Sequence, residues 1–276
     1  MKRIIKRSPA IKFFSSSVFW FFGSLVTFSL PIYAQTSLQT SLWETEKSDH
    51  FIVYYRAVPA DYLKKVIRKA EGYYQTITEE LGFTRFDEFW TWDKRAKIYL
   101  YQSRDEYQKM SKQPAWSIAG VDVYKRQIQA YLDMEDFLDT ILPHELGHIV
   151  FREFVGFQRK LPLWVDEGVV SFLEKQHRQE RLMLAKALVK TGRFMDLKEL
   201  TDVKRSSIVL PEVFYAEAAS TFEFLFAVYG KDKFLDFCRT LRKMPLDKSW
   251  EAAFLEVYKF RNLEELNSAW VEFLGK

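Results

Sequence analysis

The 276-residue sequence predicts an α+β fold, with a mixed, strand-containing lobe over residues 35–133 packed on a helical lobe over residues 134–276. Three observations point there. Strand-like apolar segments occur only in the first half, and helix-period segments fill the second. The composition, 48% hydrophobic and 17% aromatic, suffices to bury a large core.

Residues 51–55, Phe-Ile-Val-Tyr-Tyr, are β-branched and aromatic and read as a strand. Residues 61–81 place Tyr62, Leu63, Val66, Ile67, Ala70, Tyr73, Tyr74, Ile77 and Leu81 at helical spacing, with Asp61 able to cap the start and Gly82 the end. Residues 97–101 predict a second strand and residues 127–132 a third, whose end near Leu132 is a candidate edge for pairing with an extended peptide. Helices are expected at 134–155, 165–178, 180–190, 212–229, 231–243, 249–258 and 263–274, the last with Asn262 and Glu265 in capping-box positions. Pro143 removes a backbone donor inside the first of these, so the helix is expected to restart there with His144 in its opening turn. The sequence contains no internal repeat and no low-complexity linker.

Residues 13–30 carry no ionisable group, follow Lys2, Arg3, Lys6, Arg7 and Lys12, and lead into Pro31-Ile32-Tyr33-Ala34. This is the layout of a secretory signal peptide over residues 1–34 with cleavage after Ala34, an uncleaved membrane anchor being the alternative. Either implies a periplasmic or extracellular location for residues 35–276. The formal charge of +4 comes from that segment, because without its five basic residues 36 Lys and Arg face 37 Asp and Glu. The remainder lacks the basic balance expected of a nucleic-acid partner. Cys238 is the single cysteine, which excludes an intrachain disulfide and a Cys-rich metal site and reads as a small buried hydrophobe.

The chemistry concentrates at residues 144–148, His-Glu-Leu-Gly-His, inside an apolar helical stretch. Two histidines four apart project from one helix face, so their imidazoles can converge on one tetrahedral ion at about 2.0–2.1 Å. Glu145 sits off that axis, placed to take a proton from water without acting as a ligand. A catalytic zinc site needs a third protein ligand. Glu167 is the candidate, since Trp164-Val165-Asp166-Glu167-Gly168 opens a second helix after a loop containing Gly156 and Pro162.

His-Glu-Leu-Gly-His followed after eighteen residues by the glutamate of Trp-Val-Asp-Glu-Gly resembles the gluzincin zinc metallopeptidases, and most closely the bacterial peptidase MA-like proteins. The resemblance implies a zincin-like fold with the zinc helix at the junction of the lobes. It also implies one Zn²⁺ held by His144, His148 and Glu167, with Glu145 as general base for hydrolysis of a peptide or protein substrate. Relatives often stabilise the oxyanion with a tyrosine or histidine, and Tyr215 stands where such a group is expected. Where thermolysin-like enzymes carry an aspartate that orients a histidine ligand, this chain has Ser171, a weaker partner. No Gly-x-Met-Glu-Asn-like stretch of the aminopeptidase N type precedes the zinc helix, which favours endopeptidase action. The alternative is a catalytically silent zinc-binding envelope protein acting as an interaction module. Asp166 reads as a helix N-cap, His50 as a strand-edge residue and His177 as a charge near a helix carboxyl end.

Overall fold

The computed structural model describes residues 43–83, 94–111 and 119–276, so the segment expected to be a signal peptide lies outside the described residues. A five-stranded sheet has the order β1 (Glu44–Lys47), β2 (Phe51–Tyr55), β3 (Ala96–Tyr101), β5 (Gln127–Tyr131), β4 (Gly120–Asp122). The inner pairs β2–β3 and β3–β5 are parallel, and the outer strands β1 and β4 run antiparallel to their neighbours. The register sets Val53 beside Ile98 and Ile98 beside Ile128, a fully buried row. The opposite face aligns Tyr54, Tyr99 and Gln129, with the Tyr54 and Tyr99 rings stacked at 4.6 Å and Trp43 edge-on to Tyr99. This one-residue alternation is what a pleated strand with one buried face requires.

Helix α1 (Ala60–Leu81) joins β2 to β3 and buries Leu63, Val66, Ala70, Tyr74, Ile77 and Leu81, the stripe expected from the periodicity. It ends at Gly82 in the left-handed region, φ 72°. Its start differs from expectation: Pro59 is the N-cap, no side chain caps the helix, and Asp61 lies within the first turn, where it complements the helix dipole. The short helix α2 (Arg104–Ser111) and strands β1 and β4 have no counterpart in the sequence reading. β1 is exposed throughout and α2 buries only Tyr107, so neither carries an apolar period to read. β4 pairs with residues 127–129 of β5 and is the border strand among the described residues, whereas the expected edge, at the end of β5 near Leu132, lies beyond that pairing.

The helical lobe begins with a π-helical turn, Phe137–Ile141, followed by α3 (Leu142–Val155). The segment expected as one helix over 134–155 therefore changes register ahead of Pro143, and α3 starts with His144 in its first turn, as the missing proline donor requires. The carbonyl of Asp139, which Pro143 cannot serve, accepts from Gln176 Nε2 at 3.4 Å. Helices α4 (Leu163–Leu173), α5 (Lys175–Thr191), α6 (Leu197–Asp202), α7 (Pro211–Lys243), α8 (Trp250–Tyr258) and α9 (Leu263–Leu274) follow, α6 being unanticipated. The two helices expected around residue 230 are the halves of α7, interrupted at Gly230 with φ 76° and ψ 172°. Asn262 caps α9 by accepting the Glu265 N–H at 2.9 Å, and Glu265 returns a bond to the N–H of Arg261. Cys238 is fully buried, as expected. Aromatic packing ties the lobes: Phe83, just past α1, stacks on Phe154 of α3 at 3.8 Å, and Phe234 of α7 lies beside Phe83, Phe151, Phe222 and Phe226.

Among the described residues the fold also buries two acids outside the metal constellation, Glu153, which is ion-paired with Arg126, and Glu217. Glu217 on α7 is fully buried, with Oε1 accepting the Met195 N–H at 3.0 Å and Oε2 lacking a hydrogen-bond partner. Burial pushes its carboxyl up to about 7 from the ordinary 4.5. The folded state therefore keeps this proton where the unfolded chain releases it. The stabilisation is full below pH 4.5 and is lost as pH rises through about 7. Glu217→Gln, neutral at every pH, should melt close to the parent at pH 4.5 and above it at pH 8. Thermal melts across that range check the outcome, and equal shifts at both ends would contradict it.

Candidate metal centre

α3 carries His144 and His148 on one face, and α4 brings Glu167 against them. Two glycines permit this approach. A Cβ on Gly147 would stand 3.2 Å from Val170 Cγ1 of α4, and one on Gly168 would stand 2.6 Å from the Ala218 carbonyl of α7 and 2.8 Å from Phe222. α4 is thus wedged between α3 and α7 at near-backbone contact, one residue from Glu167. Trp164, fully buried, fixes the start of α4 by donating Nε1 to Thr201 Oγ1 at 3.0 Å and packing edge-on to Trp250.

The result is a triangle of donor atoms. His144 Nε2 and His148 Nε2 are 3.3 Å apart, and each lies 3.5 Å from Glu167 Oε2. Donors bound at about 2.0–2.1 Å to one tetrahedral centre are spaced at roughly 3.3–3.4 Å. Glu167 Oε2 is buried and has no hydrogen-bond partner, an uncommon state for a carboxylate oxygen unless a cation completes it. Two imidazole nitrogens and one carboxylate oxygen in this arrangement fit a divalent metal ion.

Electrostatics agree with the geometry. Burial lowers the imidazole pKa values, but the facing carboxylates of Glu167 and Glu174 outweigh it at His144, held up at about 9. Asp166 and Glu167 do the same at His148, held up at about 10. Burial raises the Glu167 carboxyl, yet the two imidazoles hold it far below the carboxylate range. The site is built to favour positive charge at its centre.

Each histidine is oriented from behind. His144 Nδ1 meets Glu174 Oε1 at 2.5 Å, and Glu174 Oε2 accepts Arg181 Nη2 at 2.7 Å. His148 Nδ1 lies 3.7 Å from Asp166 Oδ1, and Asp166 takes Arg152 on both oxygens, from Nε and Nη2 at 3.0 Å each. Such partners set the tautomer and the ring plane of a ligating histidine. Three sequence expectations are corrected here. The residue beside His144 is Glu174 and not Ser171, whose hydroxyl is buried without a hydrogen-bond partner. Asp166 is not an N-cap: that position is Pro162, and Asp166 lies in the first turn of α4 facing His148. The helix expected at 165–178 breaks at Glu174, φ −76° and ψ 79°, so His177 falls in the first turn of α5 and not near a carboxyl end. Glu174 was hidden because it stands in a continuous helical pattern, although an acid three residues past Ser171 was on view in the sequence. His50 sits just before β2, apart from this cluster, bonded to Glu71 at 2.5 Å and stacked on Tyr74.

Glu145 is half-buried on α3, and its charge is felt at His144 and Tyr215. Tyr215, in the first turns of α7, lies edge-on to His144 with ring centroids 6.5 Å apart. Burial and then the charge of Glu167 raise its phenol pKa, which keeps the hydroxyl a donor. Beside it opens a hollow of about 380 Å³ lined by Thr140, Glu174, His177, Leu184, Pro211 and Tyr215. The structure thus gathers His144, His148 and Glu167 in one cluster, with Tyr215 edge-on to His144 and the charge of Glu145 felt at both. It adds Glu174, a new role for Asp166, and three arginines, the third being Arg205, which pairs with Glu167 Oε1.

The glycine contacts yield a direct test. Gly168→Ala should lose roughly 1–3 kcal/mol of stability, because the new Cβ meets a backbone carbonyl that cannot rotate away, and metal content should fall with it as Glu167 is displaced. Gly147→Ala, whose Cβ meets only side-chain methyls of Val170 and Leu173 at 3.2–3.6 Å, should be milder. Thermal melts and metal analysis on both variants measure the difference.

No curated protein matches the chain. It does match the Peptidase MA superfamily over residues 91–276, a span that takes in β3, the metal triangle, its supporting carboxylates and Tyr215. With that match and the His144–His148–Glu167 cluster in hand, the protein belongs to the Peptidase MA superfamily, of the gluzincin-like metallopeptidase kind.

Proposed function

We propose that the protein is a zinc-dependent peptidase that hydrolyses peptide bonds within a chain. The observation that carries the reading is the triangle of two imidazole nitrogens and one buried, partnerless carboxylate oxygen. His144, His148 and Glu167 would hold the ion, and this mixed nitrogen and oxygen donor set suits zinc better than calcium or magnesium. Bound there, zinc supplies a Lewis acid that polarises the substrate carbonyl and makes water a better nucleophile at neutral pH.

The remaining steps belong to side chains. Glu145 accepts the proton from the attacking water and passes it to the departing amine nitrogen. Tyr215 donates its hydroxyl hydrogen to the oxygen that gains charge as the carbonyl becomes tetrahedral. Glu174 and Asp166 hold the two imidazoles in place while charge shifts at the centre. An extended substrate would pair its backbone with the border strand β4 and rest side chains in the hollow beside Tyr215. The absence of a Gly-x-Met-Glu-Asn-like stretch supports endopeptidase action.

Glu145→Gln should keep one zinc per chain and lose turnover by about 10²–10⁴, as expected for a general base. Tyr215→Phe should also keep zinc and lose about 10²–10³, as expected for an oxyanion donor. Metal analysis paired with cleavage of a mixed peptide library, with and without chelator, reads both variants. Protein never exposed to chelator that holds no zinc, or a Glu145→Gln variant that hydrolyses normally, would sink this mechanism.

Export is part of the proposal, supported by the basic and apolar layout of residues 1–34. The native protein should then begin at Gln35, and mass spectrometry that finds Met1 to Ala34 retained in a membrane fraction would replace the signal peptide by an anchor.

A further inference from the structure

The histidines are supported through carboxylates, but Glu167 is supported by an arginine directly. Arg205, in the short 3₁₀ turn 205–207 between α6 and α7, donates Nη2 to Glu167 Oε1, while Oε2 of the same carboxylate faces both imidazoles. Oε1 is thus satisfied by the guanidinium, while Oε2 is left facing the imidazoles without a hydrogen bond. The Glu167 side chain is 1% exposed and that of Arg205 is 62% exposed, so the guanidinium reaches from the surface to a carboxylate that water barely touches.

A carboxylate can bind a metal through one oxygen or through both. Its second oxygen stays off the metal only while something else satisfies it, and a charge-assisted bond from a guanidinium is among the strongest partners available. Without Arg205, Oε1 would be a buried, unpaired carboxylate oxygen, and such a group gains by turning to any nearby cation. A second carboxylate oxygen on the metal would take the coordination position that a three-ligand catalytic site must keep open. We propose that Arg205 is a positioning residue that confines Glu167 to one-oxygen ligation and so preserves the open position; the inference rests on the metallopeptidase reading above. Tyr215 and Glu145 lie within electrostatic reach of the same guanidinium.

The test loads metal-free full-length protein with Co²⁺ and reads its visible spectrum. The parent should show the intense bands of four-coordinate cobalt, and Arg205→Met the weaker bands of five-coordinate cobalt at equal metal content. Arg205→Lys, which keeps a charged donor, should return toward the parent spectrum. On zinc-loaded protein, Arg205→Met should lose turnover by about 10–100-fold, the range typical of residues that orient ligands. Should Arg205→Met melt well below the parent, Arg205→Ala, which also removes the donor, carries the same comparison. A variant spectrum identical to the parent at equal loading overturns the clamp and leaves the metallopeptidase reading standing. A parent chain that binds no cobalt overturns both.

Discussion

The close approach of α4 to the helices on either side of it governs the rest of the structure. A ligand set drawn from two helices exists only if their axes come near enough for imidazole and carboxylate to meet, and side chains larger than hydrogen at Gly147 and Gly168 would hold them apart. Ridges of ordinary side chains keep packed helices about 8–10 Å apart. The five residues Trp164 to Gly168 then take up separate tasks in sequence. Trp164 and Val165 anchor the helix in the core, Asp166 turns to His148, Glu167 faces both imidazoles, and Gly168 lets α7 close behind.

Burying so much charge would be unfavourable if any group were left alone. Here the carboxylates and arginines alternate: Arg181 with Glu174, Arg152 with Asp166, Arg205 with Glu167. Each acid that backs one of the two histidines, and Glu167 itself, therefore has an arginine on its far side. The exception is the inner oxygen of Glu167, aimed at the point where the two Nε2 atoms meet. A polar network that is complete except at one point marks that point as the place for a ligand, and the same support makes the donor geometry rigid before anything binds.

Two irregularities in the helical lobe serve this network. The π-helical turn before α3 absorbs the missing donor of Pro143 and sets the rotation at which His144 enters the helix. The break at Glu174 turns the chain out of α4, so that its carboxylate lies between His144 and Arg181 and is not carried round on a continuing helix. Departures from regular helix at functional positions are expected where side-chain placement outweighs backbone regularity.

Local periodicity determined much of this in the sequence. The apolar stripe of α1, the inner strands, the paired histidines one turn apart and the halves of α7 around Gly230 all follow from spacing within a single element, and so does the α+β division. Glu167 was legible as well, because its helix-opening pentapeptide is distinctive. Tertiary structure alone decided the partners that come from elsewhere. Glu174 is 30 residues from His144, and Arg205 is 38 from Glu167 in a turn with no apolar signal. β4 took the border of the sheet with only three residues. The reason is physical: the period of a segment says which of its side chains share a face, but nothing in it says which distant charge that face will meet. That choice is made when helices pack at a fixed distance and each buried charge must find a partner.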